Sequence, residues 1–281
     1  MLLVKNLTRL DINRHLSLWE HIPSKINRAF YEVDAALAYR GIFITSRFKK
    51  LTAYKNIHQG TLGVLIGNGP SVRIQDLESL KGFTTFTCNR FYLAYPQTSF
   101  RPSYLISSDP QMILDFGNEM ISKAEVPVWF IDNNKPSCIG ECLYIRLREA
   151  NRVRLRKNVM ARIFPSGATL ISALQIGYFM GIRKFALYGV DHSFTFRHVS
   201  QVPGDPRTAT GDGNHFIPGY RSSRSWCPPR KELIEKGFVE CAEQLRKEGG
   251  FLVNCTRGGK LDVLPRVELD TLLTFFLRTV S

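Results

Sequence analysis

From residue 59 onward the chain alternates short apolar runs, each closed by polar or small residues, with stretches whose apolar residues recur at helical spacing. The first run, LGVLI at 62–66, has the β-branched and aliphatic content of a strand buried on both faces, the habit of a parallel sheet. It empties into GNGPS at 67–71. Asp76 is a candidate N-cap for a short helix reaching residue 80, and a second strand over Thr84–Cys88 stops at Asn89. A third strand over 103–107 ends in Ser108, Asp109 and Pro110 and leads to a helix over 112–121. A fourth over 126–131 ends at Asp132, Asn133 and Asn134. PSGATLISALQIGYFMG, residues 165–181, reads as a loop and a buried helix, and 183–189 as a strand ending in Val190, Asp191 and His192. A helix over 232–248, a last strand over Phe251–Asn254 and a closing helix over 272–277 complete the pattern. Repeated strand, polar terminus and helix is the mark of βαβ units. The expected fold is α/β, a Rossmann-like, mostly parallel sheet flanked by helices.

Residues 1–58 follow another rhythm. Apart from 42–44 they carry few strand signals, and Ile26, Phe30, Val33 and Leu37 stand at helical spacing among basic residues. An extension of two or three helices is expected here, ahead of an α/β domain over 59–281. Arg40, Arg47, Lys49, Lys50 and Lys55 make its second half basic. A solvated helix face and peripheral contact with an anionic membrane both fit that pattern.

With 281 residues and 44% hydrophobic content the chain can bury a sizeable core. Its net charge of +14 calls for an anionic partner: a nucleotide, an anionic glycan, a membrane surface or nucleic acid. The most basic stretch, 146–162, sets Arg146, Arg148, Arg152, Arg154, Arg156, Lys157 and Arg162 against the single acid Glu149. It reads either as a phosphate-facing surface or as an exposed connection; without interleaved aromatics it argues against base stacking and so against nucleic acid. Six cysteines without a CxxC pair, and no signal peptide at the start, suggest reduced thiols in the cytoplasm. The longest uncharged run, 163–182, contains Pro165, Ser166, Ser172 and Gln175, and its apolar part is short for a membrane span. The oligomeric state stays open.

The candidate chemistry gathers at the strand ends. In an open α/β sheet the ligand crevice lies outside the carboxyl ends of the strands, so GNGPS, Asn89, Asp109 and the GVD turn at 189–191 are expected to face one cleft. Gly67 and Gly69 give backbone freedom for close approach to a phosphate, and Pro70 and Ser71 suit the first turn of a following helix, whose unpaired N–H groups would attract an anion. An ordinary strand-to-turn junction is the competing reading, since neither GxGxxG nor GxxxxGK[ST] is present. Residues 193–229 form a long stretch rich in Gly, Pro, Ser and Arg that holds His198 and His215. Such an insertion is typically a lid or an active-site loop.

Taken together, GNGPS, CNRFYL, SSDP, PSGATLISALQIGYFMGIRKFALYGVDHS, NHFIPGY and NCTRGGKLDVLPRV follow one another in an order that resembles the MptE-like family over residues 56–270. That family includes 6-hydroxymethylpterin diphosphokinases and motility accessory factor glycosyltransferases, and the chain is more remotely similar to Campylobacter-type sialyltransferases. The sialyltransferase likeness implies that Gly67, Asn68, Gly69 and Ser71 hold the donor phosphate and ribose. It places Asn89 at the asparagine after the second strand, Ser166 and Gly167 at the SG pair, and His215 at the general base. Asp109 replaces an asparagine. The tyrosines that stabilise the leaving phosphate have no counterpart between Ser193 and Val199.

Two chemistries follow. Glycosyl transfer from a nucleotide sugar to a glycan acceptor, as in bacterial surface-polysaccharide synthesis, needs a base and a stabiliser of the leaving phosphate. His215 suits the first role, with Asp191 beside the crevice. With no DxD motif and no tightly bound cofactor expected, Arg162, Arg221 or Arg224 and loop N–H groups suit the second. Pyrophosphoryl transfer from ATP to a pterin alcohol is the alternative, and would require Mg²⁺ with Asp109 and Asp191 as oxygen ligands. Asp191 could instead only cap its turn. A non-catalytic nucleotide- or glycan-binding module is the third reading.

Overall fold

The computed structural model describes residues 24–132, 138–148, 150, 152–195, 207–208, 213–221, 225–226 and 229–280. The sequence candidates Asn133, Asn134, His198 and Arg224 lie outside them. The chain divides into two compact units, Met1–Thr52 and Ala53–Ser281.

In the first unit, helix α1 (Ser24–Tyr39) is followed by a 3-10 turn (Ser46–Phe48) and a short helix α2 (Lys49–Thr52). Tyr31 meets Phe48 edge to face at 5.1 Å between ring centroids, and Thr45 Oγ1 donates to Asp34 Oδ2 at 2.5 Å. The face marked by Ile26, Phe30, Val33 and Leu37 is not the packed one throughout: Val33 is 52% exposed. The strand signal at 42–44 forms no strand, and Ile42, Phe43 and Ile44 stand exposed.

The second unit is a seven-stranded, all-parallel sheet. Its strands are β1 (Leu62–Ile66), β2 (Thr84–Cys88), β3 (Tyr104–Ser107), β4 (Val128–Asp132), β5 (Leu143–Arg146), β6 (Lys184–Tyr188) and β9 (Phe251–Asn254). A separate two-residue pair, β7 (Arg207–Thr208) and β8 (Ser225–Trp226), belongs to the insertion after β6. Helices α3 (Ile74–Ser79), α4 (Pro110–Lys123), α5 (Thr169–Phe179), α6 (Lys231–Lys247) and α7 (Leu269–Val280) flank the sheet. The Rossmann-like α/β class expected from the apolar pattern is the one observed. Residues 53–58 pack with this unit: Asn56 N donates to Phe179 O at 3.2 Å, and His58 N to Met180 O at 2.8 Å.

Every residue of β1 and β2 is buried, in the apolar β1 and in the threonine-rich but uncharged β2 alike, as strands covered on both faces are. The edge strands β5 and β9 alternate buried and half-buried residues. Helix α5 is buried throughout from 170 to 179 and lies across β1, β2 and β3. Its one amide side chain, Gln175, is fully engaged: Nε2 donates to Phe164 O at 2.7 Å and to Ile171 O at 3.1 Å, and Oε1 accepts from Phe164 N at 3.2 Å. A buried polar residue is thereby tolerated, and it fixes the loop entering α5.

The strand order runs outward from β1 through β2 to β5 on one side and through β6 to β9 on the other. The switch point therefore falls between β1 and β6, where a crevice opens at the carboxyl ends. No helix among the described residues is long and apolar enough to cross a membrane.

Candidate functional site

A cleft of about 860 Å³ opens at that switch point. It brings together Gly67, Asn68 and Gly69 after β1, Asn89 after β2, Asp109 after β3, Ser166 and Gly167 before α5, Asp191 after β6, and His215 from the insertion. Ser71, the remaining candidate, bonds Asp191.

The glycine turn is built differently from a phosphate loop. Gly67 N donates to Tyr188 O at 2.7 Å and Gly69 N to Gly189 O at 3.0 Å. Ser71 N donates to the Asp191 carboxylate at 3.2 Å, and Ser71 Oγ donates to it at 2.7 Å. The amides expected to cradle an anion are thus engaged within the protein. Neither Gly67 nor Gly69 has a positive φ. Their lack of a side chain serves another contact: a Cβ on Gly67 would overlap Gly189 O, and one on Gly69 would overlap Asp191 Oδ2. The turns after β1 and β6 are pressed together, and only glycine fits between them. Nor do Pro70 and Ser71 open a helix, since α3 begins at Ile74 with Arg73 as its N-cap.

Asp76 does not cap α3 either. Its carboxylate accepts from Tyr188 Oη and pairs with Arg257. Burial raises the Asp76 pKa, but the hydrogen bonds from Arg257 and Tyr188 outweigh it and hold the carboxyl below its usual range.

Asp191 is a brace, joining Ser71 to the β6 turn while its carbonyl accepts from Lys260 N at 2.7 Å. Asp109 Oδ1 caps α4, accepting from Gln111 N at 3.0 Å and Met112 N at 3.2 Å, and Oδ2 lies 3.5 Å from Arg221 Nη2. Both carboxylates that the ATP-dependent reading requires as Mg²⁺ ligands are therefore held by protein donors. Among the described residues no group of three or more His, Cys, Asp and Glu side chains is placed to hold a metal ion.

At the start of α5, Ala168 N donates to Pro165 O at 3.0 Å and Ile171 N to Ala168 O at 3.1 Å. Ser166 (φ 45°) and Gly167 (φ 77°) take left-handed conformations in succession and turn the chain sharply into the helix. The N-cap, Ala168, has no side chain to cap the first turn. The first two amides of the helix, those of Thr169 and Leu170, have no intrahelical acceptor, and the dipole gives that end positive character. The buried Arg221 lines the same cleft.

The segment carrying His215, expected to be a flexible lid, is tied down over 214–221. Asn214 exchanges two 2.8 Å hydrogen bonds with the backbone of Thr195. Phe216 N donates to Asn68 O at 3.0 Å. Asn68 Nδ2 donates to Tyr220 Oη at 3.0 Å and to Cys88 O at 2.9 Å. Arg90, itself paired with Glu119 at 3.2 Å, donates to Tyr220 O at 2.6 Å and Gly219 O at 3.0 Å. Asn89 (φ 54°) accepts from Ser107 Oγ at 2.8 Å. The His215 ring stacks on Tyr220 at 3.8 Å between centroids, with the planes 14° apart. Burial pushes the Tyr220 hydroxyl well above the usual phenol range, so it stays protonated beneath that ring. The same cause raises the buried Cys88 thiol to about 12, which leaves it no thiolate at neutral pH.

The carboxylate partner of His192, 43 residues away in the chain, was not visible in the sequence. His192 (φ 51°) is buried on the cleft wall, and its Nε2 lies 2.9 Å from Glu235 Oε1 on α6. A carboxylate at one ring nitrogen fixes the orientation of the imidazole. Tyr220, Thr169 and Arg230 also line the cleft without having been singled out.

None of the known protein families matches this chain, and no curated protein does. Among solved structures it is similar to a MAf glycosyltransferase from Magnetospirillum magneticum AMB-1, with 11% identity and a TM-score of 0.45 over 81% of this chain and 40% of that one. The chain thus spans two fifths of that protein's length. A likeness this distant carries no argument about chemistry, which rests on the cleft itself.

Proposed function

We propose that this chain is a nucleotide-dependent transferase that moves a glycosyl group from a nucleotide sugar to a glycan acceptor. The observation that supports it is the meeting, at the switch point of a parallel sheet, of an uncapped helix start, a buried arginine and a histidine in one cleft of ligand size. The donor phosphate lies against the first turn of α5 and Arg221, with the nucleoside towards Asn68 and Asn89. The C1–O bond to the donor phosphate breaks and a C1–O bond to the acceptor hydroxyl forms. His215 takes the hydroxyl proton, and the charge left on the phosphate is met by Arg221 and the α5 amides.

His192 is the second candidate base, because its carboxylate partner orients it as such bases are oriented. Losing a general base lowers the rate by about 10² to 10⁴. His215→Ala should lose turnover on that scale and keep nucleotide affinity; the same pattern in His192→Ala, with His215→Ala active, would reverse the roles.

The experiment that tests the reading is a melting-temperature screen with CMP, UDP, GDP and ATP, each with and without Mg²⁺. A saturating ligand at about 100 times its Kd adds about 2.7 kcal/mol. Stabilisation by CMP, UDP or GDP without Mg²⁺ is expected. Stabilisation by ATP alone, and only with Mg²⁺, would favour the diphosphokinase chemistry, and no response to any nucleotide would contradict both.

A further inference from the structure

A second cavity, of about 480 Å³, lies beside the main cleft and is lined by Arg148, Arg152, Arg154, Arg156, Arg162 and Phe164. Ala150 lines both cavities, so they adjoin. The basic run of the sequence is thus folded into a concavity instead of being spread over a surface.

The backbone explains how. After β5 the chain forms a parallel bridge, Leu147 to Ile163, with Arg148 N donating to Ile163 O at 2.8 Å and Ile163 N to Arg146 O at 3.0 Å. Arg148 and Arg162 flank that bridge. Residues 152–156 are fastened to α6: Val153 N donates to Glu240 Oε2 at 2.6 Å, Leu155 N to Gln244 Oε1 at 2.9 Å, and Gln244 Nε2 to Val153 O at 3.0 Å. In an extended segment alternate side chains face opposite ways. Val153 is buried, while Arg152 and Arg154 stand exposed and line the cavity with the half-buried Arg156. The guanidinium of Arg156 lies over the Phe164 ring at 5.8 Å.

We infer that this cavity is a binding site for a diphosphate group, and that it holds the acceptor of the transfer reaction. Five arginine side chains line one small space, and their summed positive charge favours a ligand that concentrates negative charge. Single carboxylates would have to be crowded in to supply that charge, whereas one diphosphate carries it on two adjacent phosphorus atoms and offers oxygens that match the guanidinium fork. The acceptor role rests on the transferase reading. Diphosphate binding does not, because it depends only on the arginines.

The test is calorimetric titration of the full chain with inorganic pyrophosphate, followed by flotation with neutral phosphatidylcholine vesicles carrying a polyprenyl diphosphate. The double variant Arg152→Gln/Arg154→Gln alters two exposed side chains and leaves the anchored backbone in place. Wild type should bind pyrophosphate, and the double variant should lose at least tenfold in affinity while its melting shift with nucleotide is unchanged. Retention on the diphosphate vesicles that the double variant loses identifies a lipid-linked source; binding of free pyrophosphate alone identifies a soluble one. Equal pyrophosphate affinity in wild type and double variant would overturn the site. So would equal retention on phosphatidylglycerol vesicles lacking any diphosphate. Failure of the nucleotide screen with pyrophosphate binding intact would remove the acceptor role and leave the site.

Discussion

The turn after β1 and the turn before α5 are made of the same kinds of residue, and the fold uses them in opposite ways. GNGPS has its amides at 67, 69 and 71 satisfied by β6 and its turn, and its glycines make room for Gly189 and Asp191. PSGAT has consecutive left-handed residues, an alanine N-cap and the first turn of an 11-residue helix facing the cleft. One turn is a clamp between strands; in the other, Ala168 N and Ile171 N are bonded within the turn, and the amides of Thr169 and Leu170 form the anion pole. Glycine in a turn therefore does not locate a phosphate; what matters is whether the neighbouring amides already have acceptors.

The clamp can be broken first. Gly69→Val would drive its side chain into Asp191 and Gly189, so a loss of about 3 kcal/mol or more is expected in denaturant unfolding, independent of any ligand. Wild-type stability in this variant would mean that the two turns are not in contact.

A smaller loss is expected from the group beneath the clamp. Asp76 has its folded pKa held below the unfolded value near 4, so its contribution is present above about pH 4 and is lost as pH falls through the folded pKa. Asp76→Asn should cost about 1 to 3 kcal/mol at pH 7 and flatten the acid limb of the stability curve. An unchanged limb would show that Arg257 and Tyr188 do not hold the carboxylate.

On the side of the anion pole, Arg221→Gln should weaken nucleotide affinity by about tenfold to a hundredfold, or about 1.4 to 2.8 kcal/mol, with the fold retained. Asp109 keeps its place as the cap of α4 in that variant.

Most of the sheet was legible in the sequence because β1, β3 and β6 are largely apolar and β2 is an uncharged run of β-branched and apolar residues, and their polar termini do converge on one cleft. Strand β5 was not, because LYIRLR alternates apolar and basic residues at a sheet edge and reads as part of the arginine run. The engagements that decide the chemistry were also hidden, being made across long stretches of chain. Ser71 meets a carboxylate 120 residues away, Asp76 an arginine 181 away, and His192 a glutamate 43 away. Residue type marks where a donor or acceptor stands, but only the packing of distant segments decides whether it is already satisfied.

The central claim is that the start of α5, not the glycine turn, receives the anion, and Ala168→Asp tests it most directly. Ala168 has the extended conformation of an N-cap (φ −137°, ψ 130°), so an aspartate there can accept from the first-turn amides and occupy the pole. Calorimetric titration of this variant with the nucleotide found in the screen is expected to show at least a tenfold loss of affinity, alongside a gain of about 0.5 to 1 kcal/mol in stability. A variant that gains stability and binds the nucleotide as tightly as wild type would contradict the account.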